Sequence, residues 1–547
     1  MMTVRKSSRW RLLGVAVLLV FGGSLAYWVL SRKPADETVM AGARSIPEDA
    51  LMAVSVSTAD DRWQRLARYG TPDSQTLFRE GLAQLEQRLL GDSGYTYTED
   101  IKPWVGDRIT VAFLPPPPIS PETDPEDLKA DRAALFVLPI ANLNRVRQLA
   151  EAGDPSSSWQ ERTYKGITVR ERQDNGSSYA IAILDRRFLL AATDASAIDR
   201  AIDAYKSNSS IVSTPGYNRA WETLDATDPN AANLFVNVPQ ALKAVSETST
   251  RPVESEALER VETQGVAIAV NLENDGIRFK GLSWLAPNSE TTFDPERNRP
   301  PTTVDRLPAE TVLVVAGSNL KQLWQDYLQN ARANALLPLD AAWLRSALQQ
   351  TVGIDLEAEV LSWMTGEFAL ALVPATDTTD ATFPGALVLM AQAGDRRAAD
   401  LFFDKIDRAV AEEYDFEVEV GELSGLPLVQ WDTRRKGLDV THGWLNSTLA
   451  FFSVGVPTSD RLTPSDARFL SETPLFERVV PQQPNPSNGL FFLNLADSQG
   501  EANLFLPRLP DNQQALLEAI DAIGVRAGIL DERSSRYDIF IKISSEQ

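Results

Sequence analysis

The sequence predicts an α+β protein: an N-terminal single transmembrane helix, then two tandem copies of a mixed, mainly antiparallel sheet domain with covering helices. Three observations predict it. One is a 19-residue uncharged run near the start. The second is a set of blocks that recurs in order about 260 residues further on. The third is the mixing of hairpin-forming strands with amphipathic helices.

The uncharged run is Leu12–Leu30, inside "RKSSRWRLLGVAVLLVFGGSLAYWVLSRK". As a helix rising about 1.5 Å per residue it spans about 28 Å, close to the hydrocarbon thickness of a bilayer. Trp10, Tyr27 and Trp28 suit the headgroup boundaries. Arg5, Lys6, Arg9 and Arg11 precede the run, against Arg32 and Lys33 after it, which favours a cytoplasmic N-terminus and an exported body. Ser24-Leu25-Ala26 has the small-x-small form of a signal-peptidase site, but the apolar run continues past it, so an uncleaved anchor is the preferred reading. Residues 1–33 are therefore read as tail and anchor, and 34–45 as a tether.

The repeated blocks define the body. "IPEDALMAVSVST" at Ile46 is echoed by "LPAETVLVVAGSN" at Leu307, and "PWVGDRITVAFLP" at Pro103 by "SWMTGEFALALVP" at Ser362. "YKGITVRE" at Tyr164 is echoed by "LSGLPLVQ" at Leu423, and "NLFVNVPQAL" at Asn233 by "GLFFLNLADS" at Gly489. The predicted copies are 46–285 and 307–547, joined by a Pro- and Thr-rich linker, 286–306.

Helices are predicted over Thr71–Leu90, with Thr71 as cap and Pro72 in the first position, and over Ala195–Lys206. A third is predicted over Asp395–Tyr414, with Leu401, Phe402, Ile406, Ala409 and Val410 on one face. Ile167–Thr193 reads as a three-stranded meander turning at Asn175-Gly176 and Asp185-Arg186.

Composition narrows the function. The absence of cysteine excludes disulfides, thiolate zinc sites and Cys nucleophiles. The formal charge is −22, and six of the 53 basic residues lie before residue 34, where no acid occurs. So acidic a body repels nucleic acid, and no nucleic-acid partner is expected. The single histidine, His442 in "VTHGW", cannot build a multi-His metal site, and it reads as a strand residue. No phosphate-cradling glycine motif and no G-x-S-x-G elbow occurs. Asp225, Asp228 and Asn230 have calcium-ligand chemistry but are better explained by a capped turn. Trp63, Trp104, Trp159 and Trp221 in the first copy, with Trp324, Trp343, Trp363, Trp431 and Trp444 in the second, are core candidates that could also line an apolar groove. No catalytic, cofactor or metal-binding residue is assigned; the only positions singled out as a site are the ends of the anchor, Leu12 and Leu30.

Asp107 in "PWVGDRITVAFLP" raises the question of a catalytic carboxylate beside Trp104. Aligning Trp104 with Trp363 places Ile109, Val111 and Phe113 on Phe368, Leu370 and Leu372, with Ala112 on Ala371. Asp107 then falls on Gly366 and Arg108 on Glu367, so no acid is shared. The stretch reads as a core strand entered by an aromatic residue.

The N-terminal span, "IPEDALMAVSVST", "IKPWVGDRITVAFLPP" and "YKGITVRE" with its meander resemble a cyanobacterial family known as domain of unknown function 3352. The resemblance implies a membrane-anchored protein of the plasma or thylakoid membrane, its body on the periplasmic or lumenal side. It carries no family site residues. The expected function is a non-catalytic binding or scaffolding body with a protein partner and no cofactor, attached to the membrane through its N-terminal helix. The alternatives are a carrier or sensor of an apolar ligand and a carboxylate-dependent hydrolase.

Overall fold

The computed structural model describes residues 39–544, except 91–95, 116–133, 152–158, 175–176, 225–229, 249–260, 334–344, 347–348, 351–352, 376–383, 434–437, 464–467 and 497–509. The chain divides into two compact units, residues 1–274 with 279–292, and residues 275–278 with 293–547.

The first unit is built on β1 (Met52–Ser57), β2 (Arg108–Phe113), β3 (Ala134–Pro139), β4 (Gln160–Tyr164), β5 (Ile167–Asp174), β6 (Ser177–Leu184), β7 (Phe188–Ala192), β8 (Ala232–Asn237), β9 (Thr263–Glu273) and β10 (Gly276–Leu285). The second is built on β11 (Leu313–Gly317), β12 (Phe368–Pro374), β13 (Gly385–Gln392), β14 (Glu417–Leu423), β15 (Leu426–Asp432), β16 (Asp439–Trp444), β17 (Leu449–Gly455), β18 (Gly489–Asn494), β19 (Ile520–Asp531) and β20 (Ser534–Ile543).

Strands of the first unit lie in the order β4, β5, β6, β7, β3, β2, β1, β8, β9, β10. The second follows the same order with each number raised by ten. Two-residue loops close matching hairpins: Lys165-Gly166 and Ser424-Gly425 all have positive φ, the twist that fits right-handed strands. Asp185 and Arg186 also have positive φ, as the meander requires, whereas Asn175-Gly176 lies outside the described residues.

The fold class expected from sequence is corrected in two respects. The twenty strands of the described residues belong to one sheet, where two separate mixed sheets were expected, and the ladders whose registers are defined are all antiparallel. Alternation fixes which face of a strand is buried but is silent on which strand takes its free edge. No helix among the described residues is long and apolar enough to cross a membrane. They are amphipathic: Pro72–Leu90, at 19 residues, carries Asp73, Arg79, Glu80, Glu86 and Arg88. The stretch expected to span, Leu12–Leu30, lies outside the described residues.

The sheet packs on both faces in each unit. One face of the first unit carries Ala53, Ala112, Leu135, Val137, Leu190 and Phe235. The helix Ala195–Ser207, capped by the Asp194 carboxylate, covers it with Ala197, Ile198, Ala201 and Ile202. The other face holds Trp104, Ile109 and Val146. In the second unit Val314, Ala371, Val388 and Phe492 form the first face. The second face holds Trp363, Trp431 and Trp444 under the helix Arg396–Glu413. That helix buries Ala399, Phe403, Ile406 and Val410, while Leu401, expected inside, is 59% exposed.

Ladder register also shifts one sequence alignment. Ala53 pairs with Phe235 and its counterpart Val314 with Phe492. Phe235 therefore corresponds to Phe492, not to the Phe491 that a gapless match of Asn233 on Gly489 selects. A one-residue slip would turn the ring to the opposite face.

Candidate functional site

Two places concentrate polar chemistry. In the second unit, the sole histidine sits on β16 beneath Arg396–Glu413. His442 is 2% exposed, and its ring stacks on Phe403 at 4.4 Å between centroids. His442 Nε2 lies 2.8 Å from Asp407 Oδ1, which also accepts from Trp431 Nε1 at 2.6 Å. A carboxylate only accepts, so the imidazole proton sits on Nε2. Two helical turns earlier, Asp400 accepts from Trp444 Nε1 at 3.1 Å, and the Arg396 guanidinium lies 3.9 Å from the Trp444 ring centroid. Asp400 and Asp407 thus satisfy the polar edges of rings packed against the helix, which is structural work.

The second place is a cavity of about 560 Å³ in the first unit. Its framework is a clamp that both units share. Arg200 Nη2 donates to both carboxylate oxygens of Asp49, at 2.9 and 2.8 Å, and Nη1 to the Pro115 carbonyl at 3.0 Å. Arg461 makes the same pair of contacts in the second unit, to Glu310 and to the Pro374 carbonyl. Pro115 and Pro374 are the closing prolines of the two "PWVGDRITVAFLP"-type blocks. The clamp fastens the first turn of each unit to the end of its second strand.

Around Arg200 the cavity is polar. Asp203 on the same helix is held by the Tyr164 hydroxyl at 3.0 Å and by Lys165 Nζ at 2.5 Å. Thr214, Asn237, Gln240 and Gln264 contribute hydroxyl and amide groups, and Pro47, Pro215 and Pro239 supply the apolar patches. Asn237 Nδ2 donates to the Glu48 carbonyl at 3.1 Å. Asn237 Oδ1 and Thr214 Oγ1 are buried and have no hydrogen-bond partner among the described residues.

Most residues singled out from sequence prove to be framework. Trp104 and Trp363 are 2% and 1% exposed, and Trp221, Trp431 and Trp444 are also buried. Trp63 donates to the Ser57 carbonyl and Trp324 to Glu357; neither ring, nor half-buried Trp159, lines this cavity. Trp343, Asp225, Asp228, Leu12 and Leu30 lie outside the described residues. Asn230 is buried and donates to Asn233 Oδ1 at 3.0 Å.

Asp107 is exposed, and its neighbour Arg108 is the buried group. Arg108 donates to the Val39 carbonyl at 3.3 Å and the Asn230 carbonyl at 2.5 Å. Burial, then the nearby Arg62 charge, pushes its pKa down to about 10. Arg200 and Asn237 were missed because each is an ordinary polar residue until its neighbours are known. The conserved spacing of Asp49 and Glu310 within matched blocks was the available signal for the clamp.

No curated protein matches the chain significantly. Among solved structures, crystal form I of TP0453 is similar at 8% identity and a TM-score of 0.26, over 46% of this chain and 82% of that one. Crystal form IV of TP0453 gives 9% identity and 0.25, over 48% and 83%. Likeness at this level supports no conclusion about fold or activity. A family model does match residues 12–543, and the chain belongs to that family, DUF3352, proteins of unknown function.

Proposed function

We propose that this protein is a non-catalytic binding body whose recognition site is the polar cavity of the first unit. The observation that carries the proposal is the contrast between a shared clamp and unshared lining. Both units keep the arginine, the acid and the proline carbonyl, and in the first unit buried polar groups beside them have no partner among the described residues. A cavity of about 560 Å³ falls in the range of small-molecule sites, about 300–1,000 Å³.

The polar lining disfavours an apolar cargo. A carboxylate hydrolase needs a pair of acids free to exchange protons at the reacting atoms, whereas of the three lining acids Asp49 and Asp203 are engaged by Arg200 and by Lys165 with Tyr164, which leaves Glu48 without a second free acid. A body working on the periplasmic or lumenal side of a plasma or thylakoid membrane is part of the proposal, and it rests on sequence alone. Affinity capture of the full chain, analysed by native mass spectrometry, tests the binding reading. A retained small molecule or a stoichiometric protein supports it; an empty chain with no partner above background refutes it. Fractionation that left the body in the cytosol would remove the proposed location.

A further inference from the structure

The second unit serves as an internal control for the two unpartnered groups. Asn237 ends β8 as Asn494 ends β18: their backbone N–H groups donate to the matching carbonyls of Leu51 and Val312, at 3.0 and 2.7 Å. Asn494 Oδ1 accepts from the N–H two residues on, Ala496, at 3.1 Å. In the first unit the residue two on from Asn237 is Pro239, which has no N–H to give. The proline suits the first turn of the helix Val238–Thr248, yet it strands the asparagine oxygen.

The threonines differ in the same way. Thr214 and Thr473 each follow a single 3-10 turn, Ile211–Ser213 and Leu470–Glu472, and those turns hang from the matching carbonyls of Ile46 and Leu307. Thr473 Oγ1 donates to the Leu470 carbonyl at 2.8 Å and accepts from the Phe476 N–H at 3.3 Å. Thr214 Oγ1 has neither kind of partner among the described residues. Asn237 is 5% exposed and Thr214 4%, and both line the cavity. Unpaired buried polar groups destabilise a fold, so two at one cavity, both paired in the sister unit, mark a place kept for a ligand.

We infer that the first-unit cavity binds a small, neutral, hydroxyl-rich molecule, a polyol or sugar, whose hydroxyls supply the donors that Asn237 and Thr214 lack. The inference rests on the binding reading above and adds the chemical class. Neutrality follows from the buried end of the cavity: of the three lining acids, Asp49 and Asp203 already have cationic partners and Glu48 is exposed, while Arg200 is committed to Asp49 and Pro115. What remains at the buried end is amide, hydroxyl and carbonyl chemistry, with proline rings as apolar contacts and the Glu48 carboxylate as an exposed acceptor.

The test is calorimetric titration of the full chain with trehalose, maltose and myo-inositol, and separately with spermidine. Pro239→Ala restores the missing N–H, and Thr214→Val removes the unpaired hydroxyl at nearly constant shape. Binding of a polyol or sugar, weakened about tenfold in each variant while the melting temperature holds or rises, is the expected result. Ala496→Pro, the reciprocal change in the second unit, leaves that affinity unchanged. Spermidine binding alone, sensitive to the same variants, overturns the ligand class and leaves the binding reading standing. Affinity unaffected by either variant overturns the site. No binding by any of the four probes overturns the inference; the binding reading then stands or falls on the capture experiment.

Discussion

The two units are one ladder diagram written with different side chains, and the differences are concentrated where the backbone does not dictate them. Arg108 and Glu367 occupy matching positions at the head of β2 and β12. Arg108 reaches back to the carbonyl of Val39, whereas Glu367 accepts from the N–H groups of Thr302 and Thr303. Each fastens the segment that leads into its unit's first strand, one by donating and the other by accepting. A tie to the backbone has no required sign, because every peptide offers a donor and an acceptor. The Arg200 and Arg461 clamps, in contrast, keep their chemistry, since each must satisfy a carbonyl and a carboxylate at once.

The second sheet face differs more. By ladder register His442 corresponds to Ile181. Val111 leads through Phe136 and Ala191 to Ile181, and Leu370 through Leu389 and Phe452 to His442. An aliphatic and a methyl group in the first unit are replaced by two stacked rings in the second. Of the two, His442 brings a polar edge, which Asp407 satisfies together with that of Trp431. A ring that carries an N–H demands a partner for it, so the aromatic cover of the second unit entails the carboxylates of Asp400 and Asp407 on its helix.

The comparison is tested most strongly at the tryptophans. Trp104→Ala and Trp363→Ala should each cost about 3–5 kcal/mol by urea denaturation. A tolerant site in either unit breaks the equivalence. Asp407→Ala strands the Trp431 and His442 donors together and should cost about 3 kcal/mol, whereas His442→Ile, which installs the first unit's residue, should cost less because Trp431 keeps its acceptor. Equal losses would show that the carboxylate serves the histidine alone.

A finer contrast separates the two indoles. Trp104 Nε1 donates to the Asp100 carbonyl at 2.6 Å, while Trp363 Nε1 is buried without a partner among the described residues. Trp104→Phe should therefore cost about 1 kcal/mol more than Trp363→Phe. The smallest effect belongs to the clamps. Asp49 and Glu310 are each about half exposed, so Asp49→Asn and Glu310→Gln should each cost only about 0.5 kcal/mol, less at high salt. A loss of several kcal/mol at one of them alone would mark that clamp as special to its unit.

Much of the local structure was legible in the residues. The cap and first-turn proline of Pro72–Leu90, the helix Ala195–Ser207 and the turn at Asp185-Arg186 are local rules, and they appear where the sequence puts them. The apolar alternation of "RITVAF" gave β2 its two faces, with Ala112 and Ile109 in different clusters. The helix face was read wrongly at Leu401, because periodicity over a helix with apolar residues on several sides admits more than one stripe.

The sequence by itself determined the elements, their order and the absence of cysteine and multi-histidine chemistry. These depend on residue type and on spacing within a few turns. Only the tertiary structure decided that all twenty strands share a sheet, that Phe235 matches Phe492, and that Arg200 meets Asp49 across 151 residues of chain. It alone showed Asn237 Oδ1 and Thr214 Oγ1 without partners among the described residues beside one cavity. The reason is physical. A polar side chain far from its neighbours in sequence has no fixed environment until the backbone brings them together, and whether it is paired is a property of that environment.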